Sequence, residues 1–226
     1  MGLNAYVIPV SAFLAGDFVS LVIKMGGETL VRRRPPVEGA VPVPGFHQRF
    51  VRRVMPDDPR ELEVRANRVR QQREKARQAV DALQDAIHDQ MKVPASWNEE
   101  GVVVFEHRLW RECIDPLRDY AKKQDAYFPH LTEHSFKGFY VPVTFNRPFA
   151  CEEKVVLRKM MDIGSSTQLL DELNQLNRFL EVDRRFDNLR DGESFSDDVV
   201  KTGWGMMEAL ARLSVLHSTP ICFDGE

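Results

Sequence analysis

Cysteine is scarce and unpaired: Cys113, Cys151 and Cys222 are three in number, far apart and never in a CxxC arrangement. That excludes a disulfide-stapled scaffold and predicts reduced thiols in a cytoplasmic protein. Long apolar runs are missing too. No stretch reaches the ~18–20 residues a membrane-spanning helix needs. The start, Met1-Gly2-Leu3-Asn4-Ala5-Tyr6, lacks a basic segment leading into an apolar one, so no signal peptide is expected. Tyr6 stands where the myristoylation pattern wants Ser or Thr, which argues against a lipid anchor. The common catalytic fingerprints are absent as well: the sequence has no GxGxxG, GxxxxGK[ST], GxSxG or HExxH. Ordinary dinucleotide, nucleoside-triphosphate, hydrolase-elbow and zincin chemistry therefore has no footing.

What is present describes a globular chain. Its 226 residues are 43% apolar and 29% charged, with a formal net charge of -3. A chain of this size buries roughly 70–75% of its unfolded surface, enough for a core that needs no metal. We read residues 1–226 as a single α+β domain, helix-dominated, with a small mixed or antiparallel sheet built from short strands distant in sequence. Leu3 to Val10 and Phe139 to Phe145 have strand composition, each interrupted by a proline that suits an edge or a strand end. Pro220 to Phe223 could add a last short strand. Asp17 is placed to cap a short helix over Phe18 to Met25, stopped by Gly26-Gly27.

Residues 32–48 open with Arg32-Arg33-Arg34 and carry Pro35, Pro36, Pro42 and Pro44, which predicts an extended surface loop. From Pro59 to Met91, Leu62, Ala66, Val69, Ala76, Val80, Leu83 and Ile87 recur at three- and four-residue steps, predicting one long amphipathic helix. Arg73 interrupts its stripe and weakens a coiled-coil seam. Phe105, Leu109, Cys113, Leu117 and Tyr120 continue helical spacing, with a break expected at Asp115-Pro116. Ser165 and Ser166 announce a helix carrying Leu169, Leu170, Leu173, Leu176 and Leu180. Ser196 announces another, carrying Val199, Val200, Trp204, Met207, Leu210, Ala211, Val215 and Leu216.

One chemical motif survives. His130-Leu131-Thr132-Glu133-His134 has the HxxEH order and resembles the motif of the insulysin-like and pitrilysin-like inverted zincins. On a helix, two histidines four residues apart share a face. The resemblance implies His130 and His134 as zinc ligands and Glu133 as the base acting on zinc-bound water, with Glu208 the candidate third ligand. The other histidines, His47, His88, His107 and His217, are scattered.

Charge is segregated. Residues 32–78 hold 13 Lys or Arg against 6 Asp or Glu, a net of +7 that leaves -10 for the remainder. Arg65, Arg68, Arg70, Arg73, Lys75 and Arg77 spread around the helix without interleaved aromatics, which argues against nucleic acid as a partner. The acidic stretch 181–198 complements them, within one chain or across a homodimer. The leading expectation is a non-catalytic intracellular protein, of an accessory or neutralising type, that binds another protein and needs no cofactor. A zinc-dependent hydrolase using His130, Glu133, His134 and Glu208 is the alternative. Weak nucleic-acid binding through 32–78 is the third.

Overall fold

In a computed structural model of the chain, residues 2–15, 22–25, 28–31, 59–91, 105–183 and 198–225 are described. The proline-rich 32–48, Ser196 and most of the acidic 181–198 stretch lie outside them. The α+β expectation holds, and the sheet is mixed. Six strands run in the order β4-β1-β8-β5-β7-β6: β1 is Gly2–Val7, β4 Phe105–Trp110, β5 Gly138–Val141, β6 Phe149–Glu153, β7 Lys159–Ser165 and β8 Ile221–Gly225. Only β5 and β7 are parallel; every other neighbouring pair is antiparallel.

Alternation along the strands explains why both faces are covered. Leu3, Ala5, Val7, Tyr140, Ile221 and Phe223 turn to one face, while Tyr6, Ile8, Phe139, Val141 and Cys222 turn to the other. Each set is the period-two half of its strand, so each face needs an apolar partner. The first face is packed by α3 (Arg111–Lys122), α5 (Ser166–Leu180) and α6 (Val199–His217). The second is packed by α1 (Val10–Leu14) and α2 (Pro59–Met91).

Helix α5 starts where Ser165 accepts a hydrogen bond from the Gln168 N–H at 3.0 Å, the cap expected from the serine pair. Its leucines at 169, 173, 176 and 180 are all buried. Helix α6 is capped by Asp198, whose carboxylate accepts from the Val200 N–H at 3.0 Å. Trp204 is core, its indole N–H donating to the Leu173 carbonyl at 2.8 Å. Gly203 lets α6 approach α3 closely, since a Cβ there would stand 2.3 Å from the Cys113 carbonyl oxygen. In α2 the buried residues are Ala76, Ala79, Val80, Leu83 and Ile87. That set, read among the described side chains, is a helical stripe from Ala76 to Ile87, and Arg73 is exposed.

Three local expectations are corrected. Val22–Met25 is a strand, β2, paired with β3 (Glu28–Val31) in a register that matches Met25 with Glu28. Two β-branched runs flanking Gly-Gly are a hairpin signal, and it outweighs the helical reading. Phe105–Trp110 is strand β4 rather than helix, and its pairing with β1 supplies the ladder that decides it. Helix α3 does not break at Asp115; Pro116 lies inside it. An interior proline costs about 3 kcal/mol, offset here by burial of Cys113, Ile114, Leu117 and Ala121 on one side of the helix.

Candidate functional site

The HxxEH segment begins with α4, a single turn over Pro129–Thr132 with Pro129 in its first position. The turn ends before His134, so the two histidines do not share a helix face. Both are buried. His130 Nδ1 accepts the Ser165 N–H at 3.0 Å, and its other ring nitrogen lies 2.8 Å from the Phe145 carbonyl. A nitrogen that accepts carries no proton, so the partners assign the neutral ring with the proton on Nε2, donated to Phe145. His134 repeats the arrangement: Nδ1 accepts the Phe136 N–H at 3.0 Å, while Nε2 lies 3.2 Å from the Phe139 carbonyl and 3.1 Å from that of Asp162. Burial lowers the pKa of both rings, that of His134 to about 4. The lone pair a metal would need is therefore taken on each ring by a backbone N–H.

The main chain of His130 is equally committed. Its N–H and that of Leu131 donate to the two carboxylate oxygens of Glu172, each at 2.9 Å, and its carbonyl accepts the Tyr140 hydroxyl at 2.6 Å. Burial raises the Glu172 carboxyl to about 7 against the pull of those N–H donors. Tyr140 in turn stacks on His134 with ring centroids 4.1 Å apart. Gly164 is held beside this stack, where a Cβ would come within 2.4 Å of the tyrosine ring. The assembly joins α4, β5, β7 and α5 through buried polar groups.

Glu133 is turned the other way. On the surface it accepts from Arg147 at 3.0 Å and from the Tyr127 hydroxyl, with the Arg147 guanidinium also over the Tyr127 ring. The hydroxyl and the guanidinium together lower its pKa. Glu208 is buried on α6 and accepts from Arg212 at 3.2 Å. Among the described residues, no group of three or more His, Cys, Asp or Glu is gathered as a metal site. The zinc set of the sequence reading does not fit these side chains, because each already serves another bond. Sequence reasoning missed Tyr140, Ser165, Glu172 and Arg147; their partners lie 10, 35, 42 and 14 residues away, beyond the reach of any local pattern.

Outside this network the informative surface is α3. Glu112, Asp115 and Asp119 are exposed and follow i, i+3, i+7, opposite the buried Cys113, Ile114, Leu117 and Ala121. Successive carboxylates on such a row stand about 5–6 Å apart at their Cβ atoms. Among the described residues Lys122 lies 3.4 Å from Asp119, with both side chains exposed, a pairing too solvated to neutralise that carboxylate. No helix among the described residues is long and apolar enough to cross a membrane. No curated protein and no solved structure matches the chain. A family model does match, over residues 50–223, and the chain belongs to that family, described as "Putative DNA-mimic protein".

Proposed function

We propose that the chain is a non-catalytic protein that occupies the DNA-contacting surface of a DNA-binding protein in place of DNA. Membership of the DNA-mimic family is the single observation that carries this reading. The surface chemistry supports it. A protein that contacts phosphates presents Lys and Arg, and its affinity for DNA comes chiefly from that charge. A surrogate must offer anions at comparable intervals on a rigid element. The Glu112, Asp115 and Asp119 row does so on a helix anchored by its opposite face, so binding pays little ordering entropy. Charge outside residues 32–78 totals -10, which favours approach to a basic partner.

The test uses the immobilised full chain and a lysate of the organism that encodes it, with bound proteins identified by mass spectrometry. The wild type should retain a DNA-binding protein at low salt. A Glu112→Gln, Asp115→Asn, Asp119→Asn variant should retain at least about tenfold less, since each lost charge contact removes on the order of 1 kcal/mol. Because all three positions are exposed, its circular dichroism and melting should match the wild type. Equal retention of the same partner by both proteins would contradict the role of this row.

A further inference from the structure

We infer that α2 carries a duplex-DNA-binding arm, separate from the acidic surface on α3 and independent of any protein partner. Helix α2 is 33 residues long, about 50 Å. Its first buried described side chain is Ala76. Ahead of that point Glu63, Val64, Asn67, Arg68 and residues 70–75 are all exposed.

The cations on it are ordered in rows. Arg70, Arg73 and Arg77 follow i, i+3, i+7 and are all exposed; at 100° per residue they lie within about 60° of one another. Arg68 and Lys75 form a second exposed row on the opposite flank. What reads along the sequence as a scatter of cations thus becomes two edges about 10–12 Å apart across one helix, with Glu63 and Glu74 the exposed carboxylates beside the Arg70 row. The major groove of B-DNA is about 12 Å wide and admits a helix, with a phosphate strand along each lip. Two basic flanks match two strands. Arginine dominates these rows, and its planar fork binds phosphate oxygens in pairs. The residues from 59 to 77 include no aromatic side chain on which an unpaired base could stack, which favours duplex backbone over single strands. Binding of this kind reads no sequence.

Fluorescence anisotropy of a labelled 20-base-pair duplex, titrated with the full chain alone, tests the arm. Four to five phosphate contacts give a salt slope near -4, so affinity should fall on the order of 100-fold between 50 and 200 mM salt. An Arg70→Ala, Arg73→Ala, Arg77→Ala variant and an Arg68→Ala, Lys75→Ala variant should each weaken binding about tenfold or more while melting like the wild type. The α3 variant Glu112→Gln, Asp115→Asn, Asp119→Asn should bind DNA at least as well as the wild type. Absence of binding at 50 mM salt, a salt-insensitive isotherm, or full affinity in both arm variants would overturn the inference. So would salt-sensitive self-association with no DNA retained, which would assign the arm to a second copy. No partner protein enters this assay, so its outcome leaves the surrogate reading to be judged separately.

Discussion

Replacing His134 with Ala should cost about 4 kcal/mol of stability and leave metal content untouched. The ring is buried and bonds three backbone groups: the Phe136 N–H and the carbonyls of Phe139 and Asp162. Each buried group left without its partner costs about 1–3 kcal/mol, and the lost stack on Tyr140 leaves a cavity of ring size. Urea unfolding followed by circular dichroism gives the stability, and mass spectrometry of protein purified without a metal-affinity tag gives zinc per chain. A loss below about 1 kcal/mol would contradict the backbone-clip role, and stoichiometric zinc that disappears with the ring would show that His134 is a ligand. Should the alanine variant fail to fold, His134→Asn, which keeps an acceptor near the Phe136 N–H, provides a milder version of the same measurement.

Glu172 gives the second large effect, and pH separates it from the first. Its carboxyl accepts the N–H groups of His130 and Leu131 in a buried site, so Glu172→Gln, whose amide can accept at only one position, should cost about 2–3 kcal/mol. Its folded pKa is raised to about 7 from 4.5. The native state then holds the proton more tightly than the unfolded chain, and stability from this group is full below about pH 4.5 and declines as pH rises to about 7. His134 runs the opposite way. Its folded pKa is lowered from 6.5 to about 4, so the unfolded chain binds more protons in that interval and stability declines as pH falls from about 6.5 to about 4. Each shift amounts to roughly 3 kcal/mol at 1.36 kcal/mol per pKa unit. Between pH 4.5 and 6.5 the two nearly cancel. Wild-type stability should therefore change little over that window on their account, whereas it should rise with pH in Glu172→Gln and fall with pH in His134→Asn. Parallel profiles in all three proteins would contradict the linkage.

These two residues also mark how far the sequence could be read. The helix Ser166–Leu180 was legible because leucines at three- and four-residue steps follow Ser165, which caps it; Val199–His217 was legible from Trp204, Met207, Leu210 and Ala211, although its cap is Asp198 rather than Ser196 and Val199 and Leu216 of the expected stripe are exposed. The long helix was legible from the apolar recurrence of Leu62, Ala66, Val69, Ala76, Val80, Leu83 and Ile87, down to its end at Met91. Strand β4 was not, because Leu109, Cys113 and Leu117 keep helical spacing straight across a strand-to-helix junction at residue 111. Strands β6 and β7 left little sign, since Phe149-Ala150-Cys151-Glu152-Glu153 has weak strand composition and is held by its partner rather than by propensity.

The HxxEH segment shows the sharper limit. His130 and His134 stand out in the sequence as an HxxEH pair, but the spacing carried no information about Ser165 or Phe136, whose N–H groups occupy the ring nitrogens, or about Tyr140 and Glu172. A motif states what residues could do together on a helix; here the helix is one turn long. The charge segregation was visible from composition, whereas its division into a carboxylate row on one helix and two basic flanks on another required the observed helix faces.

The central claim, that this chain takes the place of DNA on a DNA-binding protein, is tested most directly by competition. The partner captured by the wild type is held on an immobilised variant carrying Arg68→Ala, Arg70→Ala, Arg73→Ala, Lys75→Ala and Arg77→Ala, so that added duplex can act only through the partner. Increasing duplex DNA at constant salt should release the partner completely, with a half-release concentration that rises in proportion to the density of immobilised chain, as direct competition for one surface requires. A ternary complex that survives saturating DNA would contradict the claim and place the contact away from the DNA-binding surface.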